Sequence, residues 1–277
     1  MGERSILITG CSSGIGHDAA GALRARGWRV FASAREAEDC ARLRAEGFES
    51  PRIDYADAES VAAGLADVLE ATGGRLDALY NNAAFGVPGL VEDLSREVLR
   101  EIFETNLFGV HDLTRRVIPV MRAAGRGRIV NCSSVLGFTA YPWRGAYIAT
   151  KFALEGLTDT LRLELHGSGI HVVLIEPGLI TTRFGENSRA NFERLIDWEA
   201  SARAGDYERE MIAKWEGTNP NARLEVPASH VTRKIVRALE SRRPRARYRA
   251  TGLAQASYAL KRLLPTRAAD ALVRALS

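Results

Sequence analysis

The sequence predicts an α/β fold in which helices cover both faces of a parallel sheet. Over the first two-thirds of the 277 residues, short runs rich in Val, Ile and Leu alternate with longer amphipathic stretches. The short runs lack strict polar–apolar alternation, which is typical of strands buried on both faces. Strand–helix repetition of this kind indicates a doubly wound sheet, with parallel strands joined by right-handed crossovers.

The predicted elements follow one another in order along the chain. Strands are predicted at residues 5–9, 29–34, 51–53, 76–80, 128–133 and 171–175, and helices at residues 15–26, 36–46, 58–72, 96–124 and 144–166. No internal repeat or low-complexity linker separates them in the sequence. We therefore interpret residues 1–277 as a single domain.

Two stretches near the carboxyl terminus depart from this pattern. Residues 181–227 are polar, with apolar residues spaced as on surface helices, and we predict a helical lid over a binding cleft. A purely structural subdomain is the alternative. Residues 241–277 contain nine basic residues and one acidic residue, so they carry +8 while the first 240 residues carry −4 of the total of +4. We predict a basic, helical C-terminal extension there.

Composition excludes several classes of protein. Hydrophobic residues make up 46% and charged residues 26% of the chain, the balance of a soluble globular protein. No apolar run approaches the roughly 18 residues that span a bilayer, and a signal-peptide pattern is missing, so we expect a cytoplasmic protein. The three cysteines and five histidines lack metal-ligand spacing, so no metal site is expected. No nucleic-acid motif accompanies the basic extension, and no nucleic-acid partner is expected.

A glycine-rich turn joins the first predicted strand to the first predicted helix. Glycine lets the chain turn sharply and lets a pyrophosphate approach the backbone, while the helix start offers free N–H groups to that anion. A tight turn without a ligand is the alternative. The position between strand and helix favours a dinucleotide site of the Rossmann type, built from Gly10, Ser12, Ser13, Gly14, Ile15 and Gly16.

The end of the second predicted strand bears on the choice of dinucleotide. An acidic residue there would bind the adenosine ribose and repel a 2′-phosphate. This chain has Ala34 at that position, followed by Arg35. Because an arginine can pair bidentately with a phosphate, NADP(H) is favoured over NAD(H). The alternative is an arginine that only begins the next helix.

Further motifs follow the glycine turn in a fixed order. They are Asn81-Asn82-Ala83, Asn106, Ser134, Tyr147 with Lys151 four residues later, and Pro177-Gly178. Their order and spacing resemble the classical short-chain dehydrogenase/reductase family over roughly residues 5–240. Ala84 is a departure, since glycine usually follows Asn-Asn-Ala in that family. The resemblance implies an oxidoreductase that acts on alcohols or carbonyls with a nicotinamide.

The chemistry of three of these residues can be argued directly. Tyr147 and Lys151 are one helical turn apart, so their side chains share a helix face. A phenol has a pKa of about 10, and we expect the neighbouring ammonium to lower that pKa towards the range useful for acid–base catalysis. Ser134 follows a strand, where its hydroxyl can donate to a substrate oxygen as negative charge develops. We therefore predict that Tyr147 protonates the oxygen during carbonyl reduction.

Other roles are implied by the resemblance alone. Lys151, together with Tyr147, would hold the nicotinamide ribose, and Asn106 would position a water that resupplies the proton. Asp54 would contact the adenine, with a turn or capping role as the alternative. The remaining cofactor contacts implied are those of the adenosine ribose and the carboxamide turn, namely Asn82, Ala83, Ala84, Pro177, Gly178, Ile180 and Thr182.

The predicted pocket walls are apolar and aromatic. Ser134, Leu136, Tyr141 and Tyr147 are the predicted substrate contacts, and such a cleft with one polar focus suits a hydrophobic aldehyde, ketone or alcohol. The chain around Tyr147 resembles the steroid- and retinoid-acting branch of the family, and residues 258–265 resemble bacterial members that reduce aldehydes. We rank a broad carbonyl reductase first and a hydroxysteroid or retinol dehydrogenase second.

Three further hypotheses remain at this point. A non-catalytic protein that senses NADP(H) or binds a partner is the rival from another class, although Ser134, Tyr147 and Lys151 are all present. The family resemblance implies a homodimer or homotetramer. The leucines and cations of residues 253–264 predict an amphipathic helix that either makes weak peripheral contact with a membrane or packs against the domain or a sister subunit.

Overall fold

The computed structural model describes residues 3–216 and 222–276. Its strands are β1 (Arg4–Ile8), β2 (Trp28–Ala32), β3 (Ala78–Asn81), β4 (Gly127–Cys132), β5 (Ile170–Glu176), β6 (Ile180–Thr181), β7 (Val226–Pro227) and β8 (Arg247–Arg249). Six of them form one sheet in the order β2-β1-β3-β4-β5-β8, and every neighbouring pair is parallel. The strand order reverses between β1 and β3, which is where such sheets bind ligands.

The helices are α1 (Gly14–Arg24), α2 (Ala37–Ala45), α3 (Ala58–Ala71), α4 (Arg96–Phe103), α5 (Gly109–Ala123), α6 (Gly145–Glu164), α7 (Phe184–Leu195), α8 (Ala204–Asp206), α9 (Ala213–Glu216), α10 (Ser229–Glu240), α11 (Gly252–Leu263) and α12 (Thr266–Leu276). Successive side chains of a strand point to opposite faces. Ile6 and Ile8 of β1 therefore pack in one buried cluster with Leu23 and Ile235, from α1 and α10. Leu7 packs on the other face in a cluster with the residues of α3, α5 and α6. The predicted α/β fold with a parallel sheet is confirmed.

The predicted strand at residues 51–53 is wrong. Arg52 makes only an isolated bridge with Ala34, at the edge of the sheet beside β2. Pro51 has no N–H group and so cannot donate to a strand ladder. A stretch of three residues is too short to form a strand when its first residue lacks this hydrogen-bond donor.

The predicted helix at residues 96–124 is divided. A stretch of wider, π-helical turns over Glu104–Phe108 separates α4 from α5. Such a widening often occurs at functional positions. Asn106 lies within it and is completely buried.

The predicted basic extension begins with part of the main sheet. Strand β8 pairs with β5 and places Tyr248 in the core. Helix α10, just before it, was not predicted either. Charged residues hid the strand, because Arg247 and Arg249 both pair with the buried carboxylate of Glu176.

The predicted lid stretch contains β6, α7, α8, α9 and β7, and its residues 217–221 lie outside the described residues, as does Ser277. Phe192, Ile196, Tyr207 and Met211 of this stretch form a third apolar cluster with Tyr147. Among the helices of the described ranges, none is both long and apolar enough to cross a bilayer.

Candidate active site

The glycine turn has a backbone that only glycine accommodates. Gly10 and Gly14 have φ values of +68° and +60°, in the left-handed region. A Cβ atom on Gly10 would lie 2.8 Å from the Cα atom of Ala83. A Cβ atom on Gly16 would overlap the carbonyl oxygen of Gly10 and lie 2.7 Å from Nδ2 of Asn82. The turn is therefore held close to both α1 and the chain after β3.

The start of α1 suits an anion. Ser13 precedes the helix in an extended conformation, and its side chain makes no capping hydrogen bond. The first-turn N–H groups are consequently free of a side-chain cap at the positive end of the helix dipole. A pyrophosphate fits such a cradle, because glycine leaves the backbone uncovered.

A polar frame that the sequence did not reveal supports this turn. The Thr9 hydroxyl accepts hydrogen bonds from the backbone N–H groups of Asn82 (3.0 Å) and Ala83 (3.2 Å). The Asn82 side chain donates to the carbonyl oxygens of Thr9 and Gly10, both at 3.1 Å. The Asn82 amide thus holds the turn in shape, and its expected position beside the adenosine ribose stays a prediction. Tyr55 completes the frame through a 2.9 Å hydrogen bond to Thr9.

Three arginines converge at the end of β2, near the predicted adenosine site. Arg35 is exposed and pairs with the Glu36 carboxylate at 2.7 Å. Arg42 of α2 reaches back to donate to the carbonyl oxygen of Ser12 at 2.6 Å. Arg52 donates to the carbonyl oxygen of Arg35 at 2.9 Å. Sequence reasoning found only Arg35, since nothing in the spacing of Arg42 and Arg52 indicates the turn that each approaches.

Asp54 has a local role in the structure. Its carboxylate accepts a 3.0 Å hydrogen bond from the backbone N–H of Ala56, which shapes the turn before α3. The helix itself is capped by Asp57, whose side chain accepts from Glu59 and Ser60. The turn role is therefore present, and the adenine contact stays a prediction.

Ser134, Tyr147 and Lys151 come together where β4 ends beside α6. The Ser134 hydroxyl accepts from the backbone N–H of Leu136 at 3.1 Å and lies close enough to the Tyr147 hydroxyl to lower the pKa of that phenol. The Lys151 ammonium is buried, donates to the carbonyl oxygen of Cys132 at 2.7 Å, and lies 5.5 Å from the centre of the Tyr147 ring. The side chains that sequence spacing singled out thus share one site.

The pKa of Tyr147 moves in the direction opposite to the expected one. Burial raises the pKa of this phenol, and the thiol of Cys132 adds to the rise, while the hydrogen bond from Ser134 opposes it. Burial also lowers the pKa of Lys151. The expectation rested on the ammonium alone, but desolvation penalises both charged forms and outweighs it in this arrangement.

Asn106 binds protein groups with both ends of its amide. Its Oδ1 atom accepts from the Phe85 N–H at 3.0 Å, and its Nδ2 atom donates to the Phe85 carbonyl oxygen at 2.8 Å. Nδ2 also lies 3.2 Å from the Thr150 hydroxyl on α6. Asn106 therefore links the segment after β3, which includes Ala84, to α6, the helix that carries Tyr147 and Lys151.

The predicted carboxamide turn lies beside both the glycine turn and Ser134. The carbonyl oxygen of Pro177 accepts from Val135 at 2.7 Å. A Cβ atom on Gly178 would overlap the hydroxyl of Thr251, and one on Gly14 would lie 3.0 Å from Cγ2 of Thr182. Further along, Ile180 pairs with Val226 in the short β6–β7 ladder.

The apolar side of the site is aromatic. The Tyr147 and Phe184 rings meet edge to face, with 5.3 Å between their centres, and Leu136 packs in the same cluster. Trp143 has a φ value of +66°, a strained conformation for a bulky residue, and its carbonyl oxygen accepts from Gly89 at 2.9 Å. Tyr141 is half-buried, and burial raises its pKa.

Comparison with protein families supports an oxidoreductase. Residues 4–193 match the family described as short chain dehydrogenase. The chain is 38% identical over 275 residues to the uncharacterized oxidoreductase YbbO of Escherichia coli K12, an alignment that covers 98% of this chain and 94% of YbbO. It is 32% identical over 280 residues to retinol dehydrogenase 16 of Mus musculus, covering 98% and 88% of the two chains.

Solved structures with bound nicotinamide cofactors have the same fold. A short-chain dehydrogenase/reductase of Burkholderia phymatum in complex with NAD aligns with a TM-score of 0.78 and 26% identity, over 93% of this chain and 92% of that one. A single-residue variant of actinorhodin polyketide ketoreductase with NADPH aligns with a TM-score of 0.74 and 29% identity, over 90% and 96%. One of these neighbours binds NAD and the other NADPH, and together they support a nicotinamide cofactor for this chain.

Proposed function

Because the chain belongs to the short-chain dehydrogenase family and is an oxidoreductase acting on CH–OH groups, we propose that it is an NADP(H)-dependent reductase of hydrophobic aldehydes and ketones. The observation that carries this proposal is the Tyr147 hydroxyl, which is buried beside Ser134 and one helical turn before Lys151. A protonated phenol at such a position is a proton donor, as carbonyl reduction requires.

Each side chain of the site has a proposed part. The cofactor supplies or accepts the hydride. Ser134 donates a hydrogen bond to the substrate oxygen, and Tyr147 gives that oxygen its proton. The Lys151 ammonium then stabilises the phenolate that Tyr147 becomes, and it holds the nicotinamide ribose. Since the Asn106 amide is bonded to Phe85 and Thr150, a water that resupplies the proton would bind the backbone of this stretch.

The preference for NADP(H) rests on charge at the end of β2. The buried Ala34 offers no carboxylate to a ribose, while Arg35 is exposed and Arg42 touches the glycine turn at Ser12. Arg35 would leave its solvent-exposed ion pair with Glu36 and pair bidentately with the 2′-phosphate of the cofactor. Replacing Arg42 as well as Arg35 should therefore weaken NADPH binding more than replacing Arg35 alone.

The substrate class follows from the apolar walls, formed in part by Leu136, Trp143 and Phe184. The α7 segment, which brings Phe184 against Tyr147, is proposed as a lid. A retinol or hydroxysteroid dehydrogenase is the second candidate, favoured by the match to retinol dehydrogenase 16 over 98% of the chain. We also propose a homo-oligomer that covers Phe108, which precedes α5, and Phe152 and Leu157 of α6, which are exposed in the single chain.

A panel of hydrophobic aldehydes, ketones, retinoids and steroids, assayed with NADPH and NADH, tests this proposal. We expect reduction of several carbonyls with a higher kcat/KM for NADPH, and loss of that preference in Arg35→Ala/Arg42→Ala. The matched control is Arg100→Ala, an exposed arginine of α4. Tight NADPH binding without turnover of any substrate would favour the non-catalytic alternative instead.

A further inference from the structure

The last two helices present a row of leucines that the protein body does not cover. Helix α11 packs inward through Tyr258, which stacks on Arg249 at 3.4 Å and meets the Phe138 ring edge to face at 5.5 Å. At 3.6 residues per turn, Leu253, Leu260 and Leu263 lie about 140–160° around the helix from Tyr258. They therefore face away from the body, and Leu263 is 79% exposed.

Helix α12 follows α11 and carries apolar residues of its own. It is exposed along most of its length, and Leu272 is 36% exposed. Ala269, Leu272 and Val273 share one side of this helix, where Ala269 and Val273 are half-buried, while Arg267 and Arg274 lie on the opposite side. An amphipathic helix of this type lies in an interface between water and an apolar phase. We call the outward sides of α11 and α12 the tail surface.

A cluster of cations adjoins the tail surface. His230, Arg233, Lys234 and Arg237 of α10 line one surface hollow with Ala250, which lies two residues before α11. Many surface arginines of this chain have acidic partners, as Arg26 has Glu240. Within the described ranges, no carboxylate pairs with Arg233, Lys234 or Arg237. The exposed Arg242 and Arg243 continue the cluster towards β8.

Charge decides between three ways of covering this surface. A second copy related by a twofold axis would bring the same patch against itself, so two copies of residues 252–276, each with four basic residues and one acidic residue, would repel. A nucleic acid would neutralise the cations but would leave the leucines in water. A bilayer with anionic headgroups satisfies both features, because headgroups attract the cations while the acyl boundary accepts the leucines.

We propose that the tail surface and the adjoining cations dock this protein on anionic phospholipid membranes. The docking is peripheral, since two short helices lie along the interface rather than cross it. The inference does not depend on the proposed reaction, although a bilayer is also where a hydrophobic carbonyl compound accumulates.

Sedimentation of the full chain with vesicles tests the proposal. The vesicles are pure phosphatidylcholine or a mixture with phosphatidylglycerol, each measured over a series of salt concentrations. We expect binding to the mixed vesicles only, weakening as salt rises. Leu263→Glu should reduce the partition coefficient by about tenfold or more. It removes a leucine that would enter the acyl boundary of the membrane, and it adds a negative charge that the anionic headgroups repel.

The matched control is Leu163→Glu on α6, where the leucine is 71% exposed but lies outside the tail surface. It should bind vesicles as the unchanged chain does, and thermal unfolding monitors the fold of both variants. Equal binding by the two variants, equal binding to both kinds of vesicle, or no binding would overturn the proposal. So would release of the protein from vesicles by duplex DNA at physiological salt, or a dimer that Leu263→Glu converts to monomer.

Discussion

Opposing effects of the surroundings determine the pKa of the Tyr147 hydroxyl. Burial and the neighbouring Cys132 thiol raise the pKa of the phenol, and the Ser134 hydroxyl lowers it by bonding to the phenolate form. The net rise keeps Tyr147 protonated at neutral pH. The residue is thus prepared to donate a proton to a carbonyl oxygen, while removal of a proton from an alcohol requires the phenolate, which forms only at higher pH.

The two reaction directions should therefore depend differently on pH. A raised pKa leaves the acid form present through neutral pH, so kcat for carbonyl reduction should stay level and fall only in strongly alkaline solution. Alcohol oxidation should accelerate as the pH rises above neutrality, because the phenolate fraction grows. Initial rates in both directions across the pH range measure this. A plateau of the oxidation rate already at neutral pH would show that the pKa is lowered.

Two glycines of α1 offer a second prediction. Gly16→Ala places a methyl group against the Gly10 carbonyl, so the turn must shift and NADPH affinity should fall by about tenfold or more. Gly21→Ala, further along the helix, meets no atom within 4 Å. It should leave NADPH affinity unchanged and raise the free energy of unfolding by about 0.5–1 kcal/mol.

Titration calorimetry with NADPH and urea unfolding distinguish the two glycine variants. Equal NADPH affinities in Gly16→Ala and Gly21→Ala would contradict the close approach of the turn to α1.

For single residues, the sequence predicts which side chains form the site better than it predicts the surroundings of each side chain. The i, i+4 spacing of Tyr147 and Lys151 and the position of Ser134 after a strand were sufficient to bring the three together. The role of Asn82 was not predictable, because it depends on how closely Gly10 approaches the chain after β3. The direction of the Tyr147 pKa depends on burial, which the packing of the whole molecule determines.

Among the elements, β8 connects the catalytic helix to the sheet. Arg247 on this strand pairs with Glu155 and Asp159, one and two turns after Lys151 on α6, and with Glu176 of β5 at 2.6 Å. Glu176 is completely buried and pairs with both Arg247 and Arg249. The cluster fixes the position of α6 relative to β5.

Removing this cation should therefore be costly. Arg247→Met leaves carboxylates without their shared partner and should lower the free energy of unfolding by about 3–5 kcal/mol, the usual loss when one member of a buried ion pair is removed. Arg126→Met is the control, because Arg126 is 65% exposed and pairs with Asp77 at 3.1 Å. It should cost about 1 kcal/mol or less. Urea unfolding of both variants measures the difference, and equal losses would contradict the structural role of Arg247.

Elements with an apolar period were predicted well, and those shaped by polar contacts were not. The buried strands β1, β4 and β5 and helices α1, α3 and α6 appear within a few residues of their predicted positions. The wider turns at Glu104–Phe108 coincide with the hydrogen bonds of Asn106 to a distant segment. Strand β8 was not predicted, because the sequence alone does not show that its arginines pair with carboxylates inside the protein.

On the scale of the whole molecule, the chain after α10 has two parts: β8 belongs to the main sheet, while α12 lies on the surface. A chain ending at Ser241 lacks β8 and the buried Tyr248, so we expect it not to fold. A chain ending at Leu264 lacks only the exposed α12, and should unfold at nearly the same temperature as the full chain while binding anionic vesicles more weakly. Circular dichroism melts and vesicle sedimentation check both, and a folded chain ending at Ser241 would contradict the place of β8 in the sheet.

The most direct test of the proposed mechanism removes one oxygen atom. Tyr147→Phe keeps the ring that contacts Phe184 and loses the hydroxyl that lies beside Ser134. In assays with NADPH and a single hydrophobic aldehyde, kcat should fall by about 10²–10⁴-fold, while the Kd for NADPH stays nearly unchanged. Undiminished turnover in this variant would show that another group supplies the proton.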